Sequence, residues 1–132
     1  MREKYGWKLY QNNDIKIWFC GYQYNDTIDN VLKNIASILC SSSTNRIDIL
    51  NWIKSISGHF AIVVEASEWV VVAVDRACTI PLFFIEREND IFISNHAPIL
   101  KKKCNISKAD IDQSAVLEIA MSGYTIGNKT LY

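Results

Sequence analysis

The chain carries four cysteines and two histidines, and these with a few carboxylates are the side chains through which covalent or acid–base chemistry could run. Cys20, beside Gly21 at the end of an apolar run, is the first candidate nucleophile. A reactive thiol needs a cation, a helix N-terminus or a base to lower its pKa. The surrounding WFCGYQY offers none, so Cys20 reads as a small apolar residue of the core. His59 abuts the start of a strand and His96 a turn, and neither has a carboxylate or a metal-ligand spacing to orient it as a base. Cys20, Cys40, Cys78 and Cys104 form no C-x-x-C pair and have no histidine nearby, which argues against a zinc site and against a redox motif. No catalytic residue and no metal ligand is therefore assigned. Asn25 and Asp75 are of types that hold polar ligands, but both types also tie turns through local hydrogen bonds.

The elements that must position these residues are legible from periodicity. DIKIWFC, residues 14 to 20, reads as a strand ending at Gly21. A helix follows, with Asp26 as N-cap and Asp29 as third-position carboxylate, and with Ile28, Val31, Leu32, Ile35 and Leu39 on one face, and it stops at Ser41, Ser42 and Ser43. Asn45 with Asp48 repeats the capping pattern for a second helix carrying Ile49, Leu50, Ile53 and Ile56, which stops at Gly58. From Phe60 the runs FAIVVEA, WVVVAVD, IPLFFIE and IFISN read as an antiparallel meander, with hairpin turns at Ala66 to Glu68 and at Arg87 to Asp90. Continuous apolar strands such as WVVVAV imply a covering layer on each face. A last helix is predicted to open at Ser107, with Asp110 at its third position, to carry Ile111, Val116, Leu117 and Ile119, and to close at Gly123. The aromatic set Trp7, Trp18, Trp52, Trp69, Phe83, Phe84 and Phe92 reads as core or interface, since basic residues are not interleaved with it.

At 132 residues the chain is expected to form a single α+β domain over 1–132. Fourteen basic residues balance fourteen acidic ones, so no net field attracts nucleic acid or an anionic membrane. Lys101, Lys102 and Lys103 read as a solvated helix end. No stretch has the length or apolarity of a signal peptide or a membrane span, so a cytoplasmic protein with reduced thiols is expected.

Two blocks in order add a resemblance. SGHFAIVVEASEWVVVAVDRACTIPLFFIERENDIFISNHAPIL is similar to the block Gly-x-Phe-Ala, strand, turn, strand, R-D-x-x-G-x-x-P-L-Y, strand, Ser-Glu of the asparagine synthetase family. Gly58, Phe60, Ala61, Asp75, Pro81 and Leu82 match it. AVLEIAMSGYTIGNKTLY resembles the family's following helix and Gly-Tyr-x-x-Gly-x-x-Thr-Leu-Phe, through Gly123, Tyr124, Gly127, Thr130 and Leu131. Upstream, FCGYQYND is similar to the family's Asn-Gly-Glu-Ile-Tyr-Asn turn, with Gly21, Tyr24 and Asn25 in register. The resemblance spans about residues 14 to 132 and leaves the first 13 or so divergent. It implies the family's class II glutamine amidotransferase domain, of N-terminal-nucleophile type: a shortened αββα sandwich of two antiparallel sheets between helices. It also implies vestigial substrate-binding positions at Gly21, Asn25 and Asp75.

The departures bear on activity. The family's nucleophile is an N-terminal cysteine whose own α-amine is the base, whereas Met1 is followed here by Arg2, Glu3, Lys4, Tyr5 and Gly6, and no Cys, Ser or Thr precedes Cys20. Cys20 stands where the family has its oxyanion-hole Asn, and losing one such donor costs about 10²- to 10³-fold in rate. The Arg-Gly-Pro-Asp loop that clamps the glutamine carboxylate has no counterpart. Cys78 replaces the Gly of R-D-x-x-G, Val74 replaces its Arg, and Asn95 replaces the Glu of Ser-Glu. The expectation is thus a catalytically degenerate glutaminase-like domain serving as a structural or regulatory module for an asparagine-synthetase-like, ATP-dependent ligase in the same or a separate chain. ATP and Mg would belong to that ligase, since the S-G-G-x-D-S phosphate loop does not occur here. A homo-oligomer stays open. The alternatives are an active glutamine-hydrolysing amidotransferase with a displaced Cys nucleophile, and a free-standing protein-binding module.

Overall fold

The computed structural model describes residues 6–11, 15–24, 26–40, 46–88 and 90–125 of the chain. They form a mixed α+β structure with antiparallel sheets and four α-helices, in two compact units, Met1–Leu82 and Phe83–Tyr132, each taken by itself.

The first unit is built on a four-stranded antiparallel sheet in the order β1 (Lys8–Gln11), β2 (Lys16–Gln23), β3 (Gly58–Glu65) and β4 (Val70–Val74). Between β2 and β3 the chain forms α1 (Ile28–Cys40) and α2 (Arg46–Ser55). Alternation decides which side chains meet the helices. Ile17 and Phe19 of β2, Phe60, Ile62 and Val64 of β3 and Val71 of β4 point to one face and cluster with Val31, Leu32 and Ile35 of α1 and Ile49 and Ile53 of α2. Phe19 and Phe60 stack with their ring centroids 6.0 Å apart. Each such side chain, fully buried, contributes about 1.5–3 kcal/mol. On the opposite face Cys20, Ala61 and Val63 are buried too, but Val72 of the WVVVAV run, opposite Val63, is exposed, so the expected cover on both faces does not hold for that strand.

Several boundaries differ from the sequence reading. The strand predicted to stop at Gly21 runs on to Gln23, and β1 has no counterpart in that reading. Helix α1 is capped by Thr27, whose Oγ1 accepts from the Asn30 N–H at 3.3 Å, while Asp26 Oδ1 takes the N–H of Thr27 and the Asn30 side-chain amide. Asp29, one residue inside the helix, instead pairs with Lys8 of β1 at 2.9 Å. Asn45, the loop of Ser41, Ser42 and Ser43, and the side chain of Leu39 lie outside the described residues.

In the second unit β5 (Phe83–Arg87) and β6 (Asp90–Ser94) form a hairpin of their own instead of extending the meander. Arg87 pairs with Asp90 across a two-residue loop, and Glu88 there has a φ of +52°, the hand such loops favour. A helix of which the sequence reading placed only the lysine end, α3 (Ala97–Lys103), follows, started by Pro98 in its first turn and ended by the three lysines, whose cations suit a helix C-terminus. Lys103 Nζ sits 5.4 Å from the Phe92 ring centroid. The Ser107/Asp110 capping box exists, but it closes one 3₁₀ turn over Lys108–Asp110. The last helix, α4 (Gln113–Ser122), opens later, at Asp112, whose carboxylate accepts from the Ser114 and Ala115 N–H groups. It closes as expected at Gly123, with a φ of +82°. Among the described residues no helix is long and apolar enough to cross a membrane.

Candidate functional site

Strand pairing brings two of the three matched positions to one place. Gly21 of β2 lies opposite Phe60 of β3, and Asp75, the residue after β4, sits on the other side of Phe60. The Asp75 N–H donates to the Phe60 carbonyl at 2.9 Å, and the Phe60 N–H donates to Asp75 Oδ2 at 3.2 Å. One row behind stand Cys20, Ala61 and Val74. Asn25, the third position, lies outside the described residues.

Gly21 is required by the backbone. Its φ is +115°, a region essentially reserved for glycine, and a Cβ there would lie 2.0 Å from the His59 carbonyl oxygen. Gly58, at the same end of the strand pair and opposite Gln23, faces the same limit, since a Cβ would meet the Tyr22 carbonyl oxygen at 2.2 Å. The two glycines let β2 and β3 close tightly at the end of the sheet.

Asp75 is a buried carboxylate whose acceptors are filled from within. Oδ1 accepts from the Ala77 N–H at 2.9 Å. Oδ2 accepts from the Phe60 N–H, from the Thr79 N–H at 3.2 Å and from the Thr79 hydroxyl. These bonds favour the ionised form, the Thr79 hydroxyl most, and hold the carboxyl below its ordinary value of 3.8 against the opposing pull of burial. The same carboxylate ties the turn that leads out of β4, together with a bond from the Cys78 N–H to the Asp75 carbonyl at 2.9 Å. Cys78, where the resembled motif has Gly, takes a φ of +51°. The left-handed turn is thus kept without the glycine, at a cost of about 1 kcal/mol. Thr79 is the partner that sequence reasoning missed, and its signal was an Asp and a Thr four residues apart in a turn.

Cys20 is buried, and burial pushes its thiol up from the ordinary value of 9.0. That is opposite to what a nucleophile needs. His59 lies in β3 and is oriented not by a carboxylate but by a tyrosine: Tyr24 Oη and His59 Nε2 are 2.9 Å apart. Tyr22 completes a cluster of three rings with centroids 5.4 to 5.8 Å apart. The two phenol rings are exposed. Which atom donates in that bond follows from the imidazole tautomer, and His59 Nδ1 has no hydrogen-bond partner among the described residues. His96 is the N-cap residue of α3, with its N–H held by Ser94 Oγ at 3.1 Å, far along the sequence from this cluster. Among the described residues no group of three or more His, Cys, Asp and Glu side chains is placed to hold a metal ion. A shallow groove of about 360 Å³ between β1 and α1, lined by Leu9, Tyr10, Leu32 and Lys33 and crossed by the Lys8–Asp29 pair, includes none of the candidate residues.

No protein-family model, no curated protein and no solved structure matches this chain.

Proposed function

We propose that this chain is a catalytically degenerate glutaminase-like domain that serves as a structural or regulatory module for an asparagine-synthetase-like, ATP-dependent ligase. The observation that carries the reading is the state of Asp75. The position matched to a substrate-binding carboxylate keeps its acid, but four internal donors occupy it and make it the tie of a turn. A ligand ammonium would have to displace those donors and repay their lost bonds. Gly21, the second matched position, answers to a close backbone approach, and Cys20 is a shielded thiol at the place of an oxyanion donor. Motif positions survive for the fold while their ligand chemistry is spent.

The proposal includes the αββα sandwich of the N-terminal-nucleophile type, for which the antiparallel sheet with α1 and α2 against one face is a suitable half. It also places the protein in the cytoplasm, and assigns ATP and Mg to the ligase. The displaced-nucleophile alternative is disfavoured by the burial of Cys20. The test is glutamate release and calorimetry at millimolar glutamine, followed by capture of bound proteins from native lysate. No heat, no glutamate and a captured synthetase bearing the S-G-G-x-D-S loop support the proposal. Turnover abolished by Cys20→Ala, or a captured set without any ATP-dependent ligase, counts against it.

A further inference from the structure

The four-stranded sheet has two outer strands, and they are not alike. Natural sheets guard their edges with charge, proline, bulges or cover. Outer strand β1 carries Lys8 and Gln11, and Lys8 is engaged with Asp29. Outer strand β4 reads VVVAV, with neither charge nor proline. The bonds between Phe60 and Asp75 fix which backbone groups of β4 face inward. Stepping by two from that pair, Ala73 bonds Ile62 and Val71 bonds Val64, so Val70, Val72 and Val74 direct their N–H and C=O groups away from β3. Among the described residues no strand pairs with that side. Val72, at the centre, is 38% exposed.

We infer that β4 is a self-association edge, and that its partner is β4 of a second copy of this chain, paired antiparallel about a two-fold axis through Val72. The outward set is symmetric about Val72, so this register sets Val72 against Val72 of the second copy and Val70 against Val74 of the second copy. Each such pair exchanges two backbone bonds, about six in all. The three valines also share one face, so the junction forms a ladder of β-branched cross-strand contacts. Charge selects the same occupant. The register that centres on Val72 brings the turn before β4, which carries Glu68, to the end where the second copy's β4 runs into the turn carrying Arg76, so the two long side chains come within reach, and symmetry repeats the pair at the other end. Both residues are exposed, and neither has an ion-pair partner among the described residues. A parallel pairing would set Glu68 near Glu68 and Arg76 near Arg76. The product is a closed dimer with one eight-stranded sheet, and the inference does not depend on the function proposed above.

The test is analytical ultracentrifugation of the full chain over micromolar to millimolar concentration, with hydrogen exchange at the β4 amides. A monomer–dimer equilibrium is expected, with the Val70, Val72 and Val74 amides protected only as dimer forms. Arg76→Glu turns two attractions into two repulsions and is expected to weaken the dimer about tenfold. The double change Glu68→Arg with Arg76→Glu restores both pairs and should return the dimer to near its original strength. Val72→Pro deletes an outward N–H and no bond to β3, and should give a folded monomer by circular dichroism. A monomer at every concentration overturns the inference. So does a dimer indifferent to Arg76→Glu and Val72→Pro, or an open-ended series of oligomers. Should Val72→Pro fail to fold, the charge-reversal pair decides alone.

Discussion

Replacing Gly21 by Ala separates a backbone role for this position from a ligand-binding one. At a φ of +115° an L-residue carries strain of about 1–3 kcal/mol, and the added methyl would lie 2.0 Å from the His59 carbonyl oxygen, so that strand β3 must shift. Forced repacking of that kind costs about 1–3 kcal/mol more. The sum, about 4 kcal/mol, is a large share of the 5–15 kcal/mol that holds a domain folded. Gly6→Ala is the control: its φ of +72° brings left-handed strain, but a Cβ there meets nothing within 4 Å, so about 1 kcal/mol is expected. Urea unfolding followed by circular dichroism reads both, and at a slope of about 2 kcal/mol/M the Gly21→Ala midpoint should fall by about 2 M against about 0.5 M for Gly6→Ala. If Gly21→Ala unfolds within 0.5 M of the parent, the close approach of β2 and β3 does not explain the glycine, and the structural reading of that position fails.

Asp75 predicts a pH dependence. Its carboxyl is held below 3.8 in the folded state, so its stabilisation is fully present above pH 4 to 5 and drains away as pH falls through the lowered folded value. Asp110, held below the same ordinary value chiefly by the Ser107 N–H, adds to the fall. Denaturation midpoints measured from pH 7 to pH 2 should therefore drop on the acid side, and Asp75→Asn should be less stable at pH 7 and show a shallower drop. Native-state alkylation at pH 7.5, read by peptide mass spectrometry, should mark exposed Cys78 well before buried Cys20 and Cys104. Cys78→Gly should raise stability by about 1 kcal/mol in urea unfolding, because the residue occupies a left-handed conformation.

What could be read from sequence followed the strength of the local signal. Helices α1 and α2 and strands β3 and β4 were legible because their apolar spacing is regular and one face of each enters a single core. Strand β1 was not, since Lys8, Leu9, Tyr10 and Gln11 show no clear alternation and become a strand by pairing with β2. Helix α3 was hidden because APILKKK is barely two turns long and only its lysine end carried a signal. The Ser107 box was a true cap whose helix breaks off after one turn, at Ile111, where the backbone is extended. At the candidate site, the proximity of Gly21 and Asp75 follows from register, which a strand sequence with apolar residues at every position does not specify. The Asp75–Thr79 tie and the Tyr24–His59 pair join residues by side-chain direction, and periodicity is silent on that.

Exposure of the protein to a diazoketone analogue of glutamine, with mapping of any covalent product by mass spectrometry, tests most directly the proposal that this chain is a glutaminase-like domain without glutamine chemistry. The account predicts that Cys20 stays unmodified while glutamine is present or absent alike. A stoichiometric adduct on Cys20 that glutamine protects against would contradict it.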